Sequence, residues 1–344
     1  MKRVTIKDIA QIAGVSCATI SRALNDSPEV SPETRERIRE ICRREGYQAN
    51  SLARSLVSNH TGIIGLILPN ISSPFYSEVA LNVEICARKL GYSVMMCNSF
   101  HNPEQVVDLI QFLISLQVDG ILIADSRDGT YQYITTHPPV TPVVLLGEFS
   151  SPDSASACNV VSLDNFAAGR LATEYLIGLG HRDIAYLGSQ TNSTSHLRRC
   201  SGYTQAMEDH CLTARVMGSS TADSPLEQGA EMTKAFFASG QTCTAIFAAT
   251  DTLAMGVMQA ARELGLQIPQ DLSLVGTDNC TFSGLPGTML TTVDQRKAEI
   301  ARTAVELLDD LIRREAPTED YTHRILRPVL VPRSTCAQFP KREA

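Results

Sequence analysis

The sequence has no tryptophan, and its aromatic residues amount to only 6%. No apolar run approaches the roughly 18 residues that a transmembrane helix requires, which argues against a membrane partner. The first residues, MKRVTIKDIA, turn polar too early for a secretory signal. Apolar residues make up 43% and charged residues 19%, as in a globular chain and not a disordered one. We therefore expect a cytoplasmic protein.

Motifs of catalysis and of metal binding are also missing. None of the ten cysteines forms a C-x-x-C pair, and no His/Cys cluster has the spacing of a zinc site. There is no G-x-G-x-x-G after the first predicted strand, no P-loop and no G-x-S-x-G. These absences predict reduced thiols, no metal and no cofactor, and they argue against an enzyme.

Charge is unevenly distributed along the chain. The net charge of the 344 residues is −7, but residues 1–60 carry ten Lys/Arg and seven Asp/Glu. The remainder is acidic, with 20 Lys/Arg against 30 Asp/Glu. A basic segment on an acidic body favours a polyanionic partner at one end of the molecule, with a solvated basic helix as the alternative. The length predicts two or three domains.

The basic segment contains the signals of three short helices. Thr5 and Asp8 have the spacing of a capping box, which predicts a helix start. Gly14 ends that helix in a tight turn, and Ser16 caps a second helix. A third helix is predicted over residues 31–46, with a proline at its tolerated first position.

The second predicted helix, residues 16–24, has small and polar outward residues around one arginine. Small side chains let a helix approach base edges in the DNA major groove, and Arg22 offers a fork that matches guanine O6 and N7. This pattern predicts a helix-turn-helix DNA-binding domain over residues 1–48, with a small polar helical bundle as the alternative. Short donors at or near helix starts suit phosphate contacts: Thr5, Ser16, Ser21, Asn25 and Ser31.

The stretch VTIKDIAQIAGVSCATISRALNDSPEVSPETRERI resembles the DNA-binding head of the LacI–GalR family of bacterial transcription regulators. The resemblance is dense over residues 3–60. It implies that the helix Ser16–Leu24 is the recognition helix and that Cys17, Ala18 and Arg22 occupy the base-reading positions. Ala18 offers DNA only a contact with a thymine methyl group.

Residues 49–60 contain NSLARSLVS, in which Leu52, Ala53 and Leu56 lie on one side of a two-turn helix. So short a helix is not stable alone in water. The resemblance implies a hinge helix that folds on DNA and pairs with its dimer mate in the minor groove. It places Ala53 and Leu56 at the DNA, with Leu56 as a wedge between base pairs. A plain linker is the alternative, and Ala49 stands where the family often has proline.

From residue 62 the pattern changes to short, nearly continuous apolar runs. GIIGLILPN, YSVMMCNS, DGILIAD and TPVVLLGE form one series, and NVVSLD, DIAYLGS, TAIFAAT and LSLVGTD form a second. Buried parallel strands that alternate with helices explain both series. The predicted fold class is α/β, with an all-α helix-turn-helix domain and then two doubly wound parallel-sheet lobes.

The resemblance continues, more weakly, to about residue 335. It implies an effector-binding and dimerisation core over residues 61–344, similar to the type I periplasmic binding proteins. In that fold the chain crosses between the lobes three times, here near Ser162, Leu290 and Tyr321. The expected N-lobe comprises residues 62–162 and 290–321, and the expected C-lobe comprises residues 163–289 and 322–338. A helix from Arg296 to Arg314 returns to the N-lobe.

Ligands bind such sheets at the carboxyl ends of the strands. Three carboxylates close predicted strands, where each can take two adjacent sugar hydroxyls, and two aromatic residues after the first strand can cover an apolar ring face. The resemblance adds the arginine of RCSGY. The expected effector-binding residues are Phe75, Tyr76, Asp164, Arg199, Asp251 and Asp278. Helix capping is the alternative for Asp251, a turn role for Asp278, and simple packing for Phe75 and Tyr76.

Together these observations predict a sequence-specific DNA-binding transcriptional regulator, a homodimer on a near-palindromic operator. The resemblance implies a repressor that a sugar or sugar phosphate in the inter-lobe crevice releases through an allosteric change. A co-repressor such as a purine is the alternative effector. A sugar transport protein would lack residues 1–60, and an architectural DNA protein would not need a two-lobed acidic body.

Overall fold

The computed structural model describes residues 4–24, 26–47, 60–124, 128–147, 158–188, 193–314 and 320–339. The chain separates into two compact units, Met1–Thr61 and Gly62–Ala344. The expected DNA contacts Asn25, Ala53 and Leu56 lie outside the described residues, as does most of the predicted hinge. Across the described ranges, no helix is long and apolar enough to cross a membrane.

The described part of the first unit contains three short helices: α1 is Ile6–Ala13, α2 is Cys17–Leu24 and α3 is Pro32–Arg44. The predicted capping box is confirmed, because the backbone N–H groups of Thr5 and Asp8 each bond to the other residue's side chain. Gly14 ends α1 with a φ of 69°, which glycine adopts without strain. The helices share one apolar core, formed by Ile9, Ala10, Ala13, Ile20, Ala23, Val30, Ile38 and Cys42.

The second unit contains two six-stranded sheets. The first sheet has the order β11-β5-β4-β3-β1-β2, and its strands are paired in parallel. Its strands are β1 Ile63–Leu68, β2 Ser93–Asn98, β3 Gly120–Ile123, β4 Val143–Leu146, β5 Asn159–Leu163 and β11 His323–Leu326. The strands β3, β4 and β5 are buried at every residue, which explains why β3 and β4 carry no polar side chain and why β5 is mostly apolar.

The second sheet has the order β12-β10-β9-β8-β6-β7. Its strands are β6 Ile184–Leu187, β7 Arg215–Val216, β8 Ala245–Ala248, β9 Ser273–Asp278, β10 Thr291–Asp294 and β12 Val329–Val331. Only the pairing of β12 with β10 is antiparallel among the strands described here. The predicted α/β class with two doubly wound lobes is therefore confirmed.

Helices pack on both sheets. The first sheet with its helices is the first lobe, and the second sheet with its helices is the second lobe. Those that accompany the first sheet are α4 Pro74–Lys89, α5 Pro103–Ser115, α6 Asp128–Thr136 and α11 Lys297–Ile312. Those that accompany the second are α7 Asn165–Gly178, α8 Thr194–Asp209, α9 Pro225–Ala238 and α10 Asp251–Glu263. A short 3-10 helix, Thr281–Gly284, lies between β9 and β10.

Two lobe crossings lie a few residues later in the chain than the sequence predicts. Residues 291–294 were assigned to the N-lobe, but they form β10 and pair with β9 in the second sheet. Residues 323–326 were assigned to the C-lobe, but they form β11 and pair with β5 in the first sheet. Hydrogen bonding to a distant strand decides both cases, and that pairing has no local sequence signal.

Two helices of the second lobe approach each other unusually closely at glycines. A Cβ atom on Gly202 of α8 would collide with the carbonyl oxygen of Phe166 on α7, and one on Gly169 of α7 would collide with the carbonyl oxygen of Arg199. Because Arg199 lies one turn before Gly202 on the same helix, this close contact also fixes the position of the Arg199 backbone.

We predict that Gly202→Ala lowers the free energy of unfolding by about 2 kcal/mol or more, because backbone atoms cannot move aside for the new methyl group. Gly178→Ala is the matched control on α7, since a Cβ there meets nothing within 4 Å. It should leave stability unchanged or raise it by up to about 1 kcal/mol, because alanine favours helix. Chemical denaturation measures both, and equal stability of the two variants would contradict the close helix contact.

Candidate functional site

The helix α2 presents small residues to solvent around one arginine. Its exposed positions are Cys17, Ala18, Ser21 and Arg22, with Ser16 exposed just before it, whereas Ile20 and Ala23 are buried. Nε of Arg22 lies 3.2 Å from the carboxylate of Glu29, in an ion pair whose side chains are both more than half exposed. Such a pair is weak in water and leaves guanidinium donors accessible to a ligand.

Three of the hydroxyls predicted to meet phosphates, those of Thr5, Ser16 and Ser31, cap helices. Thr5 and Ser31 accept the backbone N–H groups that follow them by three residues, and Ser16 accepts that of Thr19 at 3.1 Å. All three capping residues are exposed. What they offer an anion is the first turn of each helix, where backbone N–H groups have no partner within the helix.

Arg199 of α8 is buried at the carboxyl end of β8, with 3% of its surface exposed. Its Nε donates to the side-chain oxygen of Asn165 at 2.9 Å, and its Nη1 donates to the carbonyl oxygen of Ala249 at 2.6 Å. These bonds hold the guanidinium group between the start of α7 and the end of β8.

Asp278 closes β9 and is almost fully buried. Its carboxylate accepts a hydrogen bond from the side chain of Gln295. Burial raises the pKa of Asp278 to about 7; the charge of Asp251 also raises it, whereas Arg199 and Lys297 lower it. Burial therefore favours the protonated form of this carboxyl group more than in a free aspartate.

Asp251 is also buried, but its carboxylate holds the loop that follows β9. It accepts the backbone N–H of Cys280 at 2.9 Å and the hydroxyls of Ser283 and Thr292. Burial raises the pKa of Asp251, and these hydrogen bonds oppose the shift. The side chain that caps α10 is Thr250, so the capping alternative for Asp251 is wrong.

The remaining predicted residues lie at the starts of two helices. Asp164 caps α7, because it accepts the backbone N–H of Ala167 at 2.8 Å. Phe75 and Tyr76 lie half-buried in the first turn of α4, with ring centroids 5.1 Å apart in an edge-on arrangement. Nζ of Lys297 lies 6.0 Å from the centroid of Phe75.

The structure thus brings Arg199, Asp251 and Asp278 together and leaves Asp164 as a helix cap. Sequence reasoning missed four side chains that contact this cluster or its supporting loop: Glu78, Asn165, Gln295 and Lys297. The sequence gives little sign that Lys297 is buried, because lysine side chains are usually exposed. Throughout the described ranges, no group of His, Cys, Asp and Glu is arranged to hold a metal ion.

Comparisons with known proteins match both units. Residues 5–50 match the family described as bacterial regulatory proteins, lacI family, and residues 173–336 match the periplasmic binding protein-like domain. Catabolite control protein A of Priestia megaterium is 33% identical over 91% of this chain and 93% of its own length. The HTH-type transcriptional repressor PurR of Histophilus somni is 31% identical over 88% of this chain and 91% of its own length.

A solved structure agrees with the fold. The Lac repressor dimer bound to operator and the anti-inducer ONPF aligns with a TM-score of 0.86 and 26% identity. The alignment covers 98% of this chain and all of that one.

The raised pKa of Asp278 predicts a pH-dependent stability. The folded chain holds this proton up to about pH 7, whereas an unfolded aspartate loses it near pH ~4. The folded state therefore binds more protons between these values, and the free energy of unfolding falls as the pH rises through them. Asp278→Asn should flatten this fall by an amount on the order of a few kcal/mol, measured by denaturation from pH 4.5 to pH 8. Identical pH profiles would contradict the burial of this carboxyl group.

Proposed function

The chain belongs to the lacI family of bacterial regulatory proteins, and from this premise we propose that it is a repressor controlled by a small effector at Arg199 and Asp278. Members of the family are DNA-binding transcription regulators and not enzymes. The observation that carries the proposal is a buried arginine beside a buried, titratable carboxyl group at the ends of two strands. Such groups are costly to bury, and they cluster at functional sites.

In this proposal α2 reads the operator. The small side chains of Cys17 and Ala18 let the helix backbone approach base edges, and Arg22 forks onto a guanine. The helix starts marked by Thr5, Ser16 and Ser31 face phosphates, with Ser21 beside them. Asn25, Ala53 and Leu56 are assigned to DNA by family resemblance alone.

We further propose that the chain binds DNA as a homodimer. Leu81 and Ile85 are exposed one turn apart on α4, and Met96 is exposed on the neighbouring edge strand β2. Apolar residues that line a helix and an unpaired strand edge favour a self-complementary contact. The Lac repressor, which the fold resembles, was solved as a dimer on its operator. A dimer matches a near-palindromic site.

A sugar or sugar phosphate is the effector class that we favour. The ionised carboxylate of Asp278 accepts hydrogen bonds from hydroxyl groups, and Arg199 donates to an anionic or hydroxyl oxygen. The ring of Phe75 offers an apolar surface to the face of a sugar ring. Residues 173–336 of the core also match the periplasmic binding protein-like domain.

A purine co-repressor is the second candidate. Because burial raises the pKa of Asp278, a nucleobase can meet its carboxyl group either in the protonated form, which donates, or in the ionised form, which accepts. The half-buried rings of Phe75 and Tyr76 suit a planar ligand equally well. The effector can either weaken or strengthen DNA binding, because it needs only unequal affinity for two conformations of the protein.

Arg22→Ala should remove sequence discrimination. We expect the affinity for an operator selected from a random library to fall by about tenfold to a hundredfold, because a bidentate guanine contact is lost. The matched control is Arg44→Ala, which removes one exposed charge from the end of α3. The control should weaken operator and random DNA alike. Fluorescence anisotropy at fixed salt measures both, and an unchanged operator-to-random ratio in Arg22→Ala would refute the base-reading role.

A thermal-shift screen should identify the effector class. The probes are ribose, glucose, glucose 6-phosphate and hypoxanthine, and a dye must report unfolding because the chain has no tryptophan. A ligand at 100 times its Kd adds about 2.7 kcal/mol, which raises Tm by several degrees. We expect the shift to vanish in Asp278→Ala and to remain in Arg22→Ala. A shift that Asp278→Ala retains would place the effector elsewhere.

A further inference from the structure

Glu78 and Lys297 form an ion pair at the boundary between the lobes. Nζ of Lys297 lies 3.3 Å from Oε2 of Glu78, and the two side chains are 8% and 23% exposed. Glu78 lies on α4, and Lys297 begins α11, which packs on α4 and on the first sheet. Both residues therefore belong to the first lobe. An ion pair withdrawn from water in this way needs further hydrogen bonds to be stable.

Those further bonds reach the backbone of the second lobe. Nζ of Lys297 donates to the carbonyl oxygens of Asp278 and, at 2.9 Å, of Asn279. Oε1 of Glu78 accepts the backbone N–H of Thr281 at 2.7 Å. Each of these bonds joins the first lobe to the last residue of β9 or to the loop that follows it. We call this set of contacts the lobe clamp.

The lobe clamp holds a loop of uncommon backbone geometry. Asp278 and Asn279 have φ values of 125° and 49°, which residues with a side chain rarely adopt. Such conformations persist only when their surroundings fix them. The carbonyl groups bound by Lys297 are those of the same two residues, so the clamp fixes the backbone that carries the Asp278 carboxylate.

The lobe clamp also lies near Phe75, one of the two aromatic residues predicted to contact the effector. Phe75 and Glu78 are three residues apart on α4, which places them on one face of the helix. Nζ of Lys297 lies 6.0 Å from the Phe75 ring centroid. A ligand that engages Phe75 or the carboxylate of Asp278 therefore binds next to the clamp.

We propose that Glu78 and Lys297 are positioning residues that hold the two lobes together and orient Asp278 towards the effector. This inference rests on the proposed function, because it assigns the regulation of that same crevice. Loosening of the clamp then frees the loop after β9 and lets the lobes separate, which supplies the two conformations that an effector can bias.

Hydrogen exchange of the full ligand-free chain tests the clamp. The readout is the exchange rate of the Thr281 amide, relative to amides in β3 and β8. We expect Glu78→Ala and Lys297→Met to raise that rate by about tenfold or more. Glu78→Ala removes the acceptor of the Thr281 amide, and Lys297→Met removes the ion pair that holds Glu78 in place. Glu78→Gln should have a smaller effect, since its amide oxygen still accepts, and Lys297→Arg should restore protection because it keeps donors and charge.

The matched control is Glu306→Gln on α11, which breaks an exposed ion pair with Arg302. It should leave the Thr281 amide unchanged. Unchanged exchange at Thr281 in both Lys297→Met and Glu78→Ala overturns the clamp, and so does equal acceleration throughout the chain, which indicates general destabilisation. If Lys297→Met does not fold, unchanged exchange in Glu78→Ala alone overturns it. The measurement uses neither DNA nor effector, so failure of the DNA-reading proposal appears separately, in the Arg22→Ala comparison.

Discussion

The structure depends on burying charged groups at the carboxyl ends of strands in the second sheet. Asp251, Asp278, Arg199 and Lys297 are each less than 9% exposed. Burial of a charged group is costly unless hydrogen bonds and opposite charge compensate it. Here Asp251 binds the loop after β9 from within its lobe, while Lys297 binds the same loop from the other lobe. The hydrogen bonds that compensate the buried charges therefore hold the loop after β9 and also connect the two lobes.

This arrangement gives the two acids different tasks. Asp251 accepts three hydrogen bonds from its own lobe and stabilises the loop. Burial removes water from Asp278 and raises its pKa to about 7. A ligand that brings hydrogen-bond donors or positive charge therefore stabilises the ionised carboxylate in place of the lost water. Because its backbone is bound by Lys297, ligand binding at the carboxylate is coupled to the contact between lobes. A regulator needs this kind of coupling between a small-molecule site and a larger conformational change.

Local signals explain which parts could be predicted from the sequence. The spacing of Thr5 and Asp8, the turn at Gly14 and the continuous apolar strands act over a few residues, and the corresponding helices and strands were found. Two of the three lobe crossings differ from the prediction because β10 and β11 are assigned by pairing with distant strands. The clamp was not predictable for the same reason, since Glu78 and Thr281 are 203 positions apart. Arg199 and Asp278 came from family resemblance and strand ends, and neither source reveals their burial.

Above all, we infer that a small molecule bound between the lobes changes the affinity of the protein for DNA. The most direct measurement is the Kd of the full chain for a duplex selected from a random library, at fixed salt, with and without a saturating ligand that binds the core. We expect one such ligand to change this Kd by about fivefold or more, since allosteric coupling is typically that large. A ligand that binds at Asp278 and leaves the Kd for DNA unchanged would contradict the claim.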